Sequence, residues 1–270
     1  MDGIADYAFI RPLGQGNQGS YFLARTPERL PVQDEFVVVK VLEGVATQDG
    51  FRAASRELRA FAAVRSRHLV RLYDAGQQAG TFFYAMEYMP RGSLAAPDPA
   101  LDRPDIRRAV AHAARAADDL HEAGLVHRDI KPETILLDDH GAKLGDLGLA
   151  QYISPGRTLS RLGPIESIEY LDPAMLHGQR PGRSSDIWAL GVTLHRALTG
   201  IGVYPTLPAG DPLLAIRRVV NTAPEIAPSL SAAEAALVNR CLAANRADRP
   251  ATARELADAI DQLDAEVPAG

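Results

Sequence analysis

The hydrophobic pattern of this 270-residue chain changes about a third of the way along it. The first part contains β-prone runs of Val, Phe, Tyr and Leu, namely "YAFIRPLGQG", "GSYFLART", "EFVVVKVL", "LVRLYDAG" and "TFFYAMEYM". Between the third and fourth runs, apolar residues recur at helical spacing from Phe51 to Val64. The pattern predicts a small sheet with one helix, ending near Met89.

After the Pro-rich connector "PRGSLAAPDPALDRP" the pattern becomes helical. An apolar stripe runs from Ile106 to Leu120 and precedes Gly124, a residue type that often ends helices. Short strands are predicted at "TILLD" and "AKLGD". Further helices are predicted at residues 184–199, after Asp211, and behind the capping-box pairs Ser231 with Glu234 and Thr252 with Glu255. The fold class is therefore α+β, with a strand-rich lobe at 1–89 and a helix-rich lobe at 90–270 in one domain.

Composition and charge narrow the class of protein. The chain is 46% hydrophobic and 23% charged, as in ordinary soluble globular proteins. Its net charge is −5 and its basic residues are scattered, so no surface for nucleic acid or for a membrane is expected.

The single cysteine, Cys241, excludes a disulfide framework and a cysteine-based zinc site, and favours a reducing, cytoplasmic location. The N-terminus lacks the pattern of a secretory signal. The longest apolar stretch, residues 187–203, is interrupted by His195 and Arg196 and is too short to predict a membrane span. A transmembrane segment beyond Gly270 in a longer native chain stays open.

Lysine is rare in this chain, so each lysine is a candidate for a chemical role. Only Lys40, Lys131 and Lys143 are lysines among 29 basic residues. Because an ammonium group is a compact point charge and a guanidinium a planar fork, we expect a retained lysine to be chemically required. Lys40 lies among valines in the third strand, where a buried charge needs a partner, and Glu57 on the following helix is the expected partner.

The stretch "LGQGNQGSYFLA" places Gly14, Gly16 and Gly19 at a turn between two strands. Such glycines let the backbone approach phosphates, although the same spacing also occurs in ordinary hairpins. A dinucleotide-binding glycine motif would open a helix, so a Rossmann fold is disfavoured.

The most specific stretch is "HRDIKPET", followed by "GDLG". A His, an Arg, an Asp and a Lys together in one Pro-containing loop are hard to explain by core packing. Asp129 is placed to accept a proton from an attacking hydroxyl, and Lys131 to steady a transferring phosphoryl group. Asp146 follows a strand, a suitable place for a carboxylate that holds Mg²⁺.

Taken in this order, these motifs resemble the eukaryotic-like Ser/Thr protein kinases of the bacterial type, over essentially the whole chain. The resemblance implies a bilobal kinase fold, ATP between the lobes with Mg²⁺ or Mn²⁺, and a protein substrate with Ser or Thr. It implies catalytic roles for Lys40, Glu57, Asp129 and Lys131. The implied metal ligands are Asp146 and Thr134. Nucleotide contacts are implied for Gly14, Gly16, Gly19, Lys40, Met86, Glu87, Met89 and Glu133.

Supporting roles are implied by the same resemblance. Met86 corresponds to the gatekeeper and residues 87–89 to the adenine-binding hinge. Asp186 corresponds to the aspartate that supports the catalytic loop, and Arg128 to the reader of a phosphate on the activation loop. The candidate activation-loop hydroxyls are those of Ser154, Thr158, Ser160 and Ser167, and Ser167 matches a substrate-site Thr.

Three positions depart from the family pattern. Thr134 replaces the Asn that helps to hold one Mg²⁺. Leu147 replaces the Phe of "DFG", a mild exchange of apolar residues. Ala174 in "YLDPA" removes the glutamate that would pair with Arg249, so Asp172 or another acceptor has to replace it.

The leading interpretation is an active kinase that also phosphorylates itself. The alternative is a pseudokinase, a regulatory scaffold with weak or no phosphotransfer, which Thr134 and the altered "YLDPA" favour. A small-molecule kinase is disfavoured by "DIKPE". Cys241, His121 and His195 are interpreted as structural residues because no metal-ligand spacing surrounds them.

Overall fold

A computed structural model describes residues 2–16, 19–42, 48–146, 165–204, 207–208 and 211–265 of the chain. The chain divides into two compact units. In the described part of the chain, no helix combines the length and the apolar character that crossing a bilayer requires.

Over its described residues, the first unit is an antiparallel sheet with one helix. Its elements are β1 (Gly3–Ile4), β2 (Tyr7–Gly16), β3 (Gly19–Arg25), β4 (Phe36–Leu42), α1 (Gln48–Ala63), β5 (Leu72–Gln78) and β6 (Thr81–Glu87). The six strands are ordered β1-β2-β3-β4-β6-β5, and each neighbouring pair is antiparallel. The predicted sheet with a single helix is confirmed.

The alternation of side chains along the strands builds the core of this unit. Val37, Val39 and Val41 on β4 are buried in one cluster with Tyr7 and Phe83. The other face of β4 is also covered, so that Val38 is only 5% exposed. This explains why "FVVVKVL" reads as a nearly continuous apolar run rather than as an alternating one.

The prediction for β5 was shifted by about three residues. The strand begins at Leu72 rather than at Leu69 and continues to Gln78, where a tight turn at Ala79 and Gly80 leads into β6. Both turn residues have positive φ, 48° and 83°, which suits a two-residue hairpin. Leu69 instead bridges Leu144 in the second unit.

The second unit is mainly helical and includes the segment Arg65–Leu69. It has a small sheet of β7 (Gly92–Ser93), β8 (Ala96–Pro97), β9 (Ile135–Asp138) and β10 (Gly141–Leu144), in the order β10-β9-β7-β8. Its helices are α2 (Arg103–Glu122), α3 (Ile165–Ile168), α4 (Pro173–Leu176), α5 (Arg183–Thr199), α6 (Pro212–Asn221), α7 (Ala232–Cys241) and α8 (Ala253–Ala265). Single 3₁₀ turns cover Pro132–Thr134 and Arg246–Asp248.

Two long helices form the centre of this unit. α2 carries many alanines on its buried side, which lets α8, α5 and β10 pack closely against it. α5 is buried over most of its length, including Trp188, Leu190 and Leu194. A helix that is apolar nearly all round is expected in a core. The position of α5 becomes important for the loop that follows α2.

The predicted helix starts are confirmed with one change of detail. Ser231 and Glu234 form a full capping box, with N···O distances of 2.8 and 3.2 Å. Thr252 caps α8 through Glu255 N, but the Glu255 carboxylate accepts from Ala251 N rather than from Thr252. The short helices α3 and α4 were not predicted, because four residues are too few to establish a helical period.

Candidate active site

The glycine-rich hairpin connects β2 and β3 at its described ends, Gly16 and Gly19. A Cβ atom on Gly19 would lie 2.1 Å from the carbonyl oxygen of Val41, and the φ of this residue is 154°. Only glycine fits that position. The backbone therefore requires glycine here for packing, and the predicted phosphate contact of Gly14, Gly16 and Gly19 stays a prediction. Asn17 and Gln18 lie outside the described residues.

Lys40 lies in β4 and is only 2% exposed. Its Nζ is 5.0 Å from the ring centre of Tyr21 and 5.9 Å from that of Tyr84, within cation–π range. Glu57 is half-buried on α1, one residue before the buried Leu58. The predicted ion pair of Lys40 with Glu57 stays a prediction.

The predicted nucleotide-binding hinge, residues 87–89, begins at the last residue of β6. Met86 and Met89 are buried, at 2% and 5% exposure. The backbone N–H of Glu87 donates to the Arg71 carbonyl at 2.9 Å, and its carboxylate accepts from Arg71 N at 3.2 Å. These contacts tie the end of β6 to the chain segment that enters β5.

The catalytic-loop pair Asp129 and Lys131 is formed in the second unit. Lys131 Nζ lies 3.0 Å from Oδ1 and 3.2 Å from Oδ2 of Asp129. Desolvation by burial raises the pKa of the Asp129 carboxyl, and the negative charge of Asp146 acts in the same direction, while Lys131 opposes both. A carboxylate with a raised pKa is a better proton acceptor than an ordinary aspartate.

Thr134 is directed into the loop itself. Its hydroxyl donates to the carbonyl oxygens of Asp129 and Lys131, each at 3.0 Å, and accepts from Lys131 N at 3.2 Å. The residue is 2% exposed. Thr134 therefore closes the loop that presents Asp129 and Lys131, and its predicted metal contact stays a prediction. Glu133, beside it, is exposed.

Asp186, near the start of the buried helix α5, holds the other end of the loop. Its carboxylate accepts from the backbone N–H groups of His127 and Arg128, both at 2.9 Å. Arg128 has a φ of 70°, an unfavourable conformation that these bonds maintain. The contacts fit the supporting role that was predicted for Asp186.

His121 was interpreted as a structural residue, and the structure shows which group it supports. His121 Nε2 lies 2.8 Å from Asp186 Oδ2, and both side chains are buried. The last turn of α2 thus supports the aspartate that fixes the catalytic loop. No sequence signal indicated this contact, because the two residues are 65 positions apart.

His127 joins the catalytic loop to the segment that carries Asp146. Its Nδ1 accepts from Asp129 N at 3.4 Å, so Nε2 carries the proton and donates to the Gly145 carbonyl at 3.0 Å. Burial lowers the pKa of His127, which keeps the ring neutral. Gly145 N also donates to the Thr134 carbonyl at 2.9 Å. Asp146 is therefore held next to the loop, with a φ of 62°.

The donor set of the second unit fits a divalent cation that is shared with a phosphate. Mg²⁺ in such sites is bound by one or two carboxylates together with substrate phosphates and water. The Asp146 carboxylate is a suitable oxygen ligand. Among the described residues, no cluster of three or more His, Cys, Asp or Glu side chains forms a complete protein cage for a metal.

Asp172 replaces the missing glutamate as the partner of Arg249, which is one of the two alternatives expected from the sequence. Arg249 makes two parallel bonds to the Asp172 carboxylate, of 3.0 and 3.1 Å, and both side chains are buried. Arg246 adds a third bond at 2.8 Å, which the sequence did not indicate. Burial raises the pKa of Asp172, but the two arginines outweigh it and lower the pKa overall.

Several predicted residues lie outside the described part of the chain. These are Leu147 at the "DFG" position and the candidate phosphorylation sites Ser154, Thr158 and Ser160. Ser167 lies in α3 and is half-buried.

The protein kinase class combines an antiparallel sheet and one helix in a first unit with a helical second unit. Its catalytic loop carries a paired Asp and Lys, and a further Asp follows the next strand, as in this chain. The protein kinase domain model matches residues 7–259, and the chain belongs to this family.

The chain is 31% identical over 258 residues to the probable serine/threonine-protein kinase PkwA of Thermomonospora curvata, covering 94% of this chain and 34% of that protein. It is 30% identical over 274 residues to the serine/threonine-protein kinase pkn3 of Myxococcus xanthus, covering 94% and 49%. The chain thus spans between a third and a half of these relatives.

Among solved structures, the chain is similar to the kinase domain of Mycobacterium tuberculosis PknI, determined for a cysteine-to-alanine variant. The TM-score is 0.70, and the match covers 98% of each chain at 24% identity. This match shows the protein kinase fold. The predicted fold class is confirmed.

Proposed function

We propose that this chain is an ATP-dependent protein kinase that transfers the γ-phosphate of ATP to Ser or Thr hydroxyls, including its own. The proposal rests on the Asp129–Lys131 pair, in which Lys131 Nζ lies 3.0 Å from Asp129 Oδ1. The loop that carries this pair is held by Asp186 at one end and by Thr134 at the other. The relatives named as Ser/Thr kinases support the same activity.

In the proposed reaction Asp129 orients the substrate hydroxyl and accepts its proton. The pKa of Asp129 is raised by burial, which improves the carboxylate as a base, and the positive charge of Lys131 beside it opposes this rise. Lys131 also supplies positive charge for the γ-phosphate. Phosphoryl transfer depends mainly on such positioning and charge stabilisation.

The nucleotide phosphates are proposed to contact Lys40 and the glycine-rich hairpin. Lys40 is buried in β4 at 2% exposure, so its ammonium group is held in place by the strand and by two aromatic rings. A bound Mg²⁺ would neutralise charge on the phosphates, and Asp146 is the residue proposed to hold it. Mn²⁺ has similar ligand preferences and is expected to substitute.

The substrate class is proposed to be proteins with Ser or Thr acceptors. The Lys131–Pro132 sequence matches the Ser/Thr version of the loop, and Ser167 in α3 corresponds to the substrate-site Thr of that family. We further propose a reducing compartment such as the cytoplasm, because Cys241 is free and buried.

The experiment is transfer of labelled γ-phosphate to a generic basic protein, comparing two variants with the same substitution. Lys131→Met removes the proposed charge on the phosphate, whereas Lys143→Met removes a lysine on β10 outside the proposed site. We expect Lys131→Met to lower kcat by about 10²-fold or more, the usual effect of losing one charge-stabilising group. Lys143→Met should keep the rate of the unmodified chain. Equal rates for both variants would overturn the assignment of Lys131.

A further inference from the structure

The hydroxyl of Thr134 is committed to the protein's own backbone. A hydroxyl has one proton, and here that proton faces the carbonyl oxygens of Asp129 and Lys131, both at 3.0 Å. One lone pair accepts from Lys131 N at 3.2 Å. With 2% of the residue exposed, the oxygen is enclosed by the loop that it closes.

An asparagine at this position has two polar atoms instead of one. Its amide nitrogen donates while its amide oxygen accepts or binds a cation, so one Asn can close the loop and hold a metal at the same time. In protein kinases generally, two Mg²⁺ ions are held by the aspartate after the strand and by the catalytic-loop Asn. Thr134 has a single polar atom for both tasks.

The neighbouring oxygen atoms do not replace the missing amide. Both carboxylate oxygens of Asp129 lie within 3.2 Å of Lys131 Nζ. The carbonyl of Thr134 accepts from Gly145 N at 2.9 Å. Within the described residues, no other group of metal-binding side chains surrounds this position. Among the described residues that follow the loop, Asp146 offers a carboxylate as a ligand.

We infer that this chain binds one divalent cation per bound nucleotide, through Asp146, and that Thr134 is a positioning residue for the catalytic loop rather than a metal ligand. The inference rests on the proposed kinase function and describes its metal requirement. Thr134 then keeps the loop-closing part of the task, and one of the two ions is given up.

The test counts bound Mn²⁺ by electron paramagnetic resonance, using a non-hydrolysable ATP analogue at saturation and the analogue without protein as the blank. Nucleotide binding is measured separately by calorimetry. We expect one Mn²⁺ per protein–nucleotide complex for the unmodified chain and two for Thr134→Asn. Asp146→Asn should lose the single ion.

Thr134→Val and Thr134→Ser separate the two roles of this residue. If Thr134 acts only on the loop, Thr134→Val keeps one bound ion but lowers phosphotransfer, and Thr134→Ser restores phosphotransfer because it restores the hydroxyl. The inference would be overturned by two bound ions in the unmodified chain. It would also be overturned if Thr134→Val lost the ion while Thr134→Ser kept it. Neither result would contradict the proposed kinase function. Absence of nucleotide binding would overturn both.

Discussion

The replacement Asp172→Asn removes one negative charge from a buried network and changes little else. Asp172 has a fully buried side chain and pairs with Arg249, whose side chain is 1% exposed, and with Arg246. It also caps α4 by accepting from Ala174 N at 3.0 Å. Asparagine can keep this cap, so the variant isolates the loss of charge.

The expected cost follows from the burial of Arg249. Removing one partner of a buried ion pair leaves an uncompensated charge and typically costs about 3–5 kcal/mol. For a folding unit of this size, each kcal/mol lowers Tm by roughly 2–4 °C, which gives a fall of roughly 6–20 °C. The measurement is thermal and urea unfolding followed by circular dichroism.

The matched control is Asp139→Asn, the same substitution in an exposed pair of the same unit. Asp139 lies 4.0 Å from Arg91 and its side chain is 83% exposed. Exposed ion pairs contribute about 0–1 kcal/mol, so this variant should unfold close to the unmodified chain. If the unfolding free energies of Asp172→Asn and Asp139→Asn differ by less than about 1 kcal/mol, the buried network does not stabilise the fold as proposed.

A second variant tests whether Asp172 replaces the missing family glutamate. Asp172→Ala together with Ala174→Glu moves the carboxylate to position 174, where the family pattern has its glutamate. The double variant should be more stable than Asp172→Ala alone, because Arg249 regains an acceptor.

The pKa of Asp172 is lowered from 3.8, so its contribution to the stability of the fold is present above that pH and is lost as the pH falls through the lower folded value. The difference between Asp172→Asn and the unmodified chain should therefore stay constant from neutral pH down to about pH 4.

Two further predictions concern the catalytic loop. Burial raises the pKa of Asp129 and Lys131 opposes this rise, so kcat/KM should fall as the pH drops through a value above 3.8. Lys131→Met should move this acid limb of the pH–rate profile to higher pH. An unmoved limb would contradict the pairing of Asp129 with Lys131. His121→Ala should weaken the hold of Asp186 on the loop and lower kcat roughly tenfold, equivalent to ~1.4 kcal/mol, with a smaller change in KM for ATP. His121→Gln, which can donate to Asp186, should recover part of the rate; equal rates for the two variants would argue that His121 acts on stability alone.

The parts of the fold that could be predicted are those set by short-range patterns. Glycine-punctuated β-prone runs located β2, β3 and β4, and the Ser231–Glu234 capping box located the start of α7. The site residues that lie within one short motif could be predicted equally well, because Asp129 and Lys131 are two positions apart and contact each other directly.

Contacts between distant parts of the sequence could not be predicted in the same way. His121 meets Asp186 only because α2 and α5 pack side by side, and Arg246 reaches Asp172 from 74 positions away. The start of β5 was misplaced because Leu69 is apolar and β-prone but belongs to the second unit, where it pairs with Leu144 of the same unit. The direction of the Thr134 hydroxyl depends on the curvature of the loop, which residue type alone does not define.

We expect this chain, with Thr134 in place of Asn, still to transfer phosphate. The most direct measurement is incubation of the purified chain with γ-labelled ATP and Mg²⁺ or Mn²⁺, followed by mass spectrometry of the products, beside Asp129→Asn. We expect phosphate on Ser or Thr side chains in the unmodified chain and none in the variant. Nucleotide binding without any transferred phosphate, or equal transfer by Asp129→Asn, would contradict this expectation.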